Sequence, residues 1–492
     1  MELNTQQQIF YDKVVSLDFS KILLLGEGGT GKTASMSKAV SELVRQGVSG
    51  ISVCAPTHLA RLNLINKMDA DVRHLVETMT VASLLLKFGI DKEDGTTQFT
   101  AGKIDRVDKY KLIVLDECSM ISEQDYELLM QSKAKIIFMG DYKQLPPVMA
   151  KSAEGKMNTH IGTGNLEVFE LTEQMRQQGV IHLAAQRNRE KPWFPQESET
   201  GVGGERIVVH KTRQDLISRM ISEILSDARG YDATQHYRYI TYKNADVRDI
   251  GKRIRDKVLE HHFGFDASSI PFIFKEFIMM RENKGSIGYN GELVEIQSIK
   301  KDTRHTHYPW DSYELVVKGS LGTGMIRTLP PCQVPRMLEH VDKLQGKLRG
   351  EQIRNEHDNA SKTLSEIKRI KSYWTLVQTP YAVTTHKSQG STIENVYLDT
   401  LSFARAPNRR ALLYVGISRA SHELHTIFVP ETQQISSKEA NARYRAARAS
   451  YEEVTGNSYL NVLRYLKVST RTPQGKDIVA GYLESLVEDL KQ

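Results

Sequence analysis

The segment Lys21-Ile22-Leu23-Leu24-Leu25-Gly26-Glu27-Gly28-Gly29-Thr30-Gly31-Lys32-Thr33 constrains this chain more than any other. An apolar strand runs straight into a glycine-rich loop, and the loop opens a helix-like stretch, TASMSKAVSELVRQG. Glycines let backbone N–H groups curl around phosphate oxygens where a side chain would block the approach. On this reading Gly26, Gly28, Gly29, Thr30 and Gly31 cradle the phosphates of ATP. Lys32 reaches the β- and γ-phosphates, and the Thr33 hydroxyl holds Mg²⁺. A plain strand–turn–helix corner is the competing reading. A second element weighs against it: Leu112-Ile113-Val114-Leu115-Asp116-Glu117 is an apolar strand ending in two carboxylates. Asp116 is placed to bind the Mg²⁺ shell, and Glu117 to orient and deprotonate the attacking water. Together they indicate nucleoside triphosphate hydrolysis, without saying what the energy does.

Short apolar strands alternate with longer helical patterns through the first 175 residues, which predicts βαβ units and a parallel sheet covered on both faces. The polar, glycine-punctuated stretch GIDKEDGTTQFTAGKIDRVDK reads as a small excursion from that sheet. RYITYKN and the helical ADVRDIGKRIRDKVLEH begin a second α/β block, which continues far downstream in TTHKSQG, NVYLDT and ALLYVGISRA. Between its halves, residues 272–335 alternate strand-like and turn-rich stretches and read as an inserted antiparallel barrel. Residues 336–372 read as a charged, solvated helical arm. A tail from about residue 431 holds a further helix, NARYRAARASYEEV.

Composition sets outer bounds. The 492 residues carry 66 Lys+Arg against 60 Asp+Glu, a balance of +6, which permits an anionic partner without demanding one. With 40% hydrophobic and 26% charged residues, wholesale disorder is excluded. No apolar run approaches the ~18 residues of a membrane span, so no membrane partner is expected. The N-terminal MELNTQQQIF lacks a secretory pattern, and Cys54, Cys118 and Cys332 are too scattered for a disulfide framework or a zinc site; the expectation is a cytoplasmic protein.

Further segments stand in a fixed order: Leu3-Asn4-Thr5-Gln6-Gln7, Ala55-Pro56-Thr57-His58-Leu59-Ala60, Asp116-Glu117-Cys118-Ser119-Met120, Gly140-Asp141-Tyr142-Lys143-Gln144-Leu145-Pro146-Pro147-Val148, Leu171-Thr172-Glu173-Gln174-Met175-Arg176, Thr384-Thr385-His386-Lys387-Ser388-Gln389-Gly390, and Tyr414-Val415-Gly416-Ile417-Ser418-Arg419-Ala420. From the N-terminus to about residue 425 the chain resembles a superfamily 1 helicase of the RecD/Dda-like branch, and these are its Q motif and motifs Ia, II, III, IV, V and VI. The resemblance implies that Gln7 reads the adenine edge and that Gln144 senses the γ-phosphate. It makes Arg176 and Arg419 phosphate-contacting arginines and puts Gln389 and Gly390 at the nucleotide. A single strand would be gripped by Thr57 and His58, by Lys243 and Asn244 of TYKNADV, and by His386. Where the family has a T-I-H-S-like motif Ib this chain has Thr80-Val81-Ala82-Ser83. The histidine is missing, but Thr80 and Ser83 retain hydroxyls for phosphates. Phe99, in GTTQFTAG, falls where this branch carries a duplex-splitting hairpin, and is expected at its tip, with local packing as the alternative.

The implied fold is α/β, with two RecA-like P-loop domains of parallel sheets: residues 1–83 with 111–175, and 176–271 with 373–430. Residues 84–110 would form the small hairpin, 272–372 an SH3-like β-barrel with a helical arm, and 431–492 an extension of unassigned role. The implied activity is ATP-dependent DNA unwinding with 5′-to-3′ movement on single-stranded DNA. The partners would be single-stranded, forked or tailed DNA and proteins of replication, repair or recombination. An RNA helicase of the same superfamily, a phosphate-loop switch or loader, and a subunit of a nuclease complex remain as alternatives.

Overall fold

The computed structural model describes residues 3–55, 64, 68–86, 89–91, 97–99, 102–141, 166–173, 179–190, 192–264, 266, 268–303, 308–354, 356–403, 406, 408–429 and 437–455, with isolated positions from 476 to 487. Helix α1 (Thr5–Ser16) starts at Asn4, whose side chain accepts from the Gln7 N–H while the Gln7 side chain accepts from the Asn4 N–H. This reciprocal cap satisfies two of the donors a helix start leaves open.

Strands β1 (Lys21–Gly26), β2 (Ile51–Ala55), β3 (Glu77–Thr80), β6 (Leu112–Leu115), β7 (Lys135–Gly140) and β8 (Glu167–Leu171) form one parallel sheet in the order β3-β2-β6-β7-β1-β8. Between β3 and β6, β4 (Gly89–Asp91) and β5 (Thr97–Phe99) pair antiparallel. The near-continuous apolarity of KILLLG has a direct cause. Ile22 and Leu24 pack under α1 and α2 (Lys32–Arg45) with Phe10, Val14, Met36 and Val40. Leu23 and Leu25 face the opposite layer with Ile113, Leu115 and Phe138. A strand covered on both sides has no position for a polar residue, and each fully buried leucine or isoleucine contributes about 1.5–3 kcal/mol.

The second sheet runs β17-β11-β18-β19-β10-β9. Its strands are β9 (Glu199–Thr200), β10 (Arg206–His210), β11 (Tyr237–Thr241), β17 (Ala382–Thr384), β18 (Ile393–Leu398) and β19 (Ala420–Ile427), parallel except for β9. Helix α3 (Val180–Glu190) and α8 (Arg409–Ile417) cover one face, with Ile240, Leu398 and Leu424 beneath them. Helix α4 (Arg213–Ser226) and α5 (Asn244–Phe263) cover the other, over Tyr239 and Tyr397.

Between β11 and β17 the chain makes a five-stranded antiparallel sheet, β15-β14-β13-β12-β16, from β12 (Phe277–Met280), β13 (Leu293–Asp302), β14 (Ser312–Gly319), β15 (Gly322–Thr328) and β16 (Val377–Gln378). Its core holds Ile278, Val294, Ile296, Leu315 and Ile326. The charged arm is two helices, α6 (Val334–Ile353) and α7 (His357–Tyr373), packed on Trp310 and Trp374. It is therefore less solvated than its charge suggests: a buried stripe of Val334, Met337, Val341 and Leu348 lies under the polar face. Helix α9 (Ser437–Thr455) follows the second sheet. No helix among the described residues is long and apolar enough to cross a membrane.

Candidate active site

Strand order explains why the chemistry converges. β6, β7 and β1 are adjacent and parallel, so their carboxyl ends deliver Asp116-Glu117, Asp141 and the glycine loop to one edge. Gly29 has φ 94° and Gly31, the cap of α2, φ 83°, both in the left-handed region where a Cβ is strained. The loop is closed on itself: Lys32 Nζ donates to the carbonyl oxygens of Gly26 at 2.6 Å and Glu27 at 2.7 Å, and Thr30 Oγ1 donates to the Glu27 carbonyl at 2.9 Å. Burial pulls the lysine below its usual range, opposed by Asp141, Asp116 and Glu117.

Glu117 sits at φ 49°, an unusual backbone for a side-chain-bearing residue. Burial raises its carboxyl above the ordinary range, and the Asp116 charge adds to this, while Arg419 and Lys32 pull the other way. Thr33, Asp116 and Glu117 line one cleft of about 780 Å³ with the glycine loop. A hydroxyl and a carboxylate, with room for water, suit Mg²⁺, which keeps most of its waters and takes few protein ligands.

The far wall comes from the second sheet. Gly390, Ser391, Tyr414 and Arg419 line it. Arg419 is held in place, donating from Nε to the Val415 carbonyl at 3.0 Å, from Nη1 to the Ser391 carbonyl at 3.0 Å and from Nη2 to Ser418 Oγ at 2.9 Å. Gln389 is buried beside Gly390, which has φ 78°. Across the cleft, Arg189 of α3 lies 3.0 Å from Glu27 Oε1 through Nε and 2.8 Å from Asp141 Oδ2 through Nη1. Tyr414 OH donates to the same Asp141 oxygen at 2.6 Å, and Gln186 Nε2 donates to Glu27 Oε2 at 3.0 Å. These contacts tie α3 and α8 of the second unit to the first unit's phosphate loop.

Residues 2–192 match the family model described as an AAA domain, and residues 380–427 the one described as a UvrD-like helicase C-terminal domain. Over 422 residues the chain is 22% identical to the ATP-dependent DNA helicase Dda of Enterobacteria phage T4, covering 82% of this chain and 93% of that one. It is 21% identical over 469 residues to the RecBCD enzyme subunit RecD of Buchnera aphidicola, 85% of this chain and 72% of that one. In both matched segments and across most of its length the chain is similar to superfamily 1 helicases of the RecD and Dda branch. An uncharacterised protein of Acanthamoeba polyphaga mimivirus is 38% identical over 165 residues, and there this chain spans 33% of the relative's length.

The structure places several expected residues differently. Gln7 is fully buried; its Nε2 donates to the Thr30 carbonyl at 3.0 Å and its Oε1 accepts from the Asn4 N–H at 3.1 Å. With no exposed surface and its amide turned to the Thr30 carbonyl, Gln7 supports the phosphate loop and is not open to an adenine edge. Thr80 is buried and caps the short helix Val81–Leu84, its Oγ1 accepting from the Ser83 N–H at 3.2 Å and lying 2.9 Å from Ser83 Oγ. The Thr80 hydroxyl is thus engaged in the helix start, while Ser83 is exposed on the first turn. Phe99 pairs with Gly89, at the end of the β4–β5 pair away from the chain reversal between Asp91 and Thr97, and so is not at a hairpin tip. Lys243 and Asn244 are exposed at the start of α5, and His386 is half-buried just after β17. Thr57, His58, Gln144 and Arg176 lie outside the described residues.

Arg189 is the site residue sequence reasoning missed. A signal existed: Ile181, Ala184, Ala185 and Asn188 are the buried stripe of α3, and Arg189 falls four residues after Ala185, on the same face. An arginine on an apolar helix face needs a partner.

Proposed function

We propose that this chain is an ATP-driven motor that moves 5′ to 3′ along single-stranded DNA and separates the strands of forked or tailed duplexes. The observation that carries the reading is one cleft walled by Lys32, Asp116 and Glu117 from the first sheet and by Arg419 and Tyr414 from the second. A switch or loader with one nucleotide domain has no use for a second wall of this kind. The similarity to Dda, an ATP-dependent DNA helicase, supports DNA as the track.

ATP entering the cleft draws Lys32 from its two loop carbonyls to the β- and γ-phosphates. Thr33 and Asp116 would hold Mg²⁺, which would supply neutralisation of phosphate charge. Glu117 accepts a proton from the attacking water, a task suited to a carboxyl raised by burial. Arg419 neutralises the charge of the transition state, and Gln144 and Arg176 are assigned to the γ-phosphate by their motifs alone. Since Arg419 comes from the second sheet, hydrolysis requires closure, and closure moves one grip relative to the other. Thr57 and His58 grip on the first unit, and Lys243, Asn244 and His386 on the second.

Residues 1–83 with 111–175, and 176–271 with 373–430, are assigned as the two RecA-like motor domains. The antiparallel sheet and arm of 272–372 are read as an SH3-like barrel bracing the β4–β5 pair of 84–110, which opens the duplex. The free thiols of Cys54, Cys118 and Cys332 suit a reducing cytoplasm. The test is strand displacement on duplexes with a 5′ or a 3′ single-stranded tail. Unwinding from the 5′ tail is expected, and unwinding only from the 3′ tail refutes the polarity.

A further inference from the structure

A second cavity, of about 370 Å³, lies between α5, the antiparallel sheet and the start of α6. Its walls are of two kinds. One is apolar and rigid, from Pro330, Pro331 and Pro335 with Val377; the other carries Arg248 and Arg281. The volume is in the range of small-ligand sites.

The charges are unusual for this neighbourhood. Two other cations that line the cavity from α5 have carboxylate partners: Arg255 pairs with buried Glu276, Nη2 donating to Oε2 at 2.8 Å, and Lys252 pairs with Asp256. Arg281 is half-buried, and among the described residues neither it nor Arg248 makes an ion pair. Of the two carboxylates at the rim, Asp311 is taken by Lys301 at 2.7 Å, and Asp249 is exposed to solvent. Lys387, the residue after His386, donates to Gln378 Oε1 at 3.3 Å, and Gln378 lines the same cavity. Burial and the neighbouring Arg248 both press Arg281 towards its neutral form, and burial, then Arg281, do the same to Lys387. Two arginines that line the cavity without an ion pair among the described residues, one of them half-buried, are relieved by an anion.

The cavity also opens at Asn244, on the first turn of the twenty-residue α5, where the helix dipole favours negative charge. A bare phosphate would leave the proline wall unused, whereas a nucleotide uses both walls. We propose that this cavity is a subsite for one nucleotide of a bound single DNA strand, with Arg281 and Arg248 on its phosphate and the prolines against its sugar and base. The inference rests on the single-strand motor reading above. It extends the track from Asn244 and His386 onto the antiparallel sheet.

The cavity contains its own reporter. Cys332 lines it and is exposed, while Cys54 and Cys118 are buried. The experiment measures the rate at which a thiol-specific disulfide reagent modifies Cys332 in the full chain, alone and with saturating oligo-dT or matched inorganic phosphate. Fluorescence anisotropy then follows oligo-dT binding across salt for wild type, Arg281→Gln and Arg248→Gln. Slower modification with oligo-dT but not with phosphate is expected. The slope of log affinity against log salt should be shallower by about 0.7 for each phosphate that a variant no longer neutralises. Arg248 is exposed on a helix, so its variant tests the site even where Arg281→Gln does not fold. Oligo-dT that binds wild type without slowing Cys332, with unchanged slopes in the variants, overturns the subsite alone. Equal slowing by phosphate makes it a free-anion site and overturns the strand assignment. A wild-type chain that does not bind oligo-dT overturns both the subsite and the motor reading.

Discussion

Arg189 Nη1 lies 2.8 Å from Asp141 Oδ2, an ion pair that joins a helix of the second unit to the strand end beside the first unit's phosphate loop. Asp141 is 1% exposed and Arg189 13%, so the pair is shielded from solvent, and Tyr414 OH shares the same carboxylate oxygen. Removing one partner of a buried pair strands the other's charge and costs about 3–5 kcal/mol. Arg189→Ala is therefore expected to lower the thermal midpoint and to reduce strand-stimulated kcat at least tenfold. Tyr414→Phe, which removes one hydrogen bond to a charged acceptor worth about 1.5–3 kcal/mol, should act in the same direction but less. Steady-state ATPase and thermal unfolding check both; wild-type values for Arg189→Ala would contradict the contact's role.

Gln7 distinguishes loop support from base reading. With Nε2 on the Thr30 carbonyl, its loss loosens the phosphate loop whatever base the nucleotide carries. Gln7→Ala should raise KM for ATP and GTP by similar factors. A rise confined to ATP would restore the adenine-reading role.

The second sheet carries a pH-sensitive pair. His210 Nε2 and His425 Nδ1 are 3.1 Å apart, and His425 Nε2 lies 3.0 Å from Glu423 Oε2 and 3.5 Å from Glu223 Oε2. Burial, then His425 and Arg219, push His210 from 6.5 down to about 4, with Asp215 and Glu223 opposing. The folded group thus resists a proton that the unfolded chain accepts. Its contribution is complete above about pH 6.5 and is lost as pH falls towards 4. The thermal midpoint should fall between pH 7 and pH 5, and His210→Gln should flatten that fall. An unaltered pH profile in the variant would argue against this source.

Phe99 sits opposite Gly89 at the inner end of the β4–β5 pair, so on the proposed reading it would act through that pair rather than from its tip. Phe99→Ala should lower unwinding more than strand-stimulated ATPase. Equal loss of both would remove the pair from the splitting role.

Much of the motor was legible in the sequence because its signals are local. KILLLG must be buried on both faces, and glycines at 29 and 31 answer a left-handed backbone within one loop. What escaped depends on long-range partners. Arg189 meets residues 162 and 48 positions earlier, Glu27 and Asp141, and nothing in AAQRNRE names them. Gln7 and Thr80 were assigned by motif position, but side chains of that size and polarity serve helix starts equally well, and here they do. The arm looked solvated because its charge count hides one apolar stripe on each helix.

The central claim is that one cleft, completed by an arginine from the second sheet, hydrolyses ATP under the control of a bound strand. The most direct measurement is steady-state ATP hydrolysis with and without oligo-dT for wild type and Arg419→Ala. The account predicts strong stimulation in wild type and a loss of roughly 10³–10⁵ in kcat in the variant, the contribution of an arginine at the transition state. An Arg419→Ala enzyme that hydrolyses ATP at the wild-type, strand-stimulated rate would contradict it.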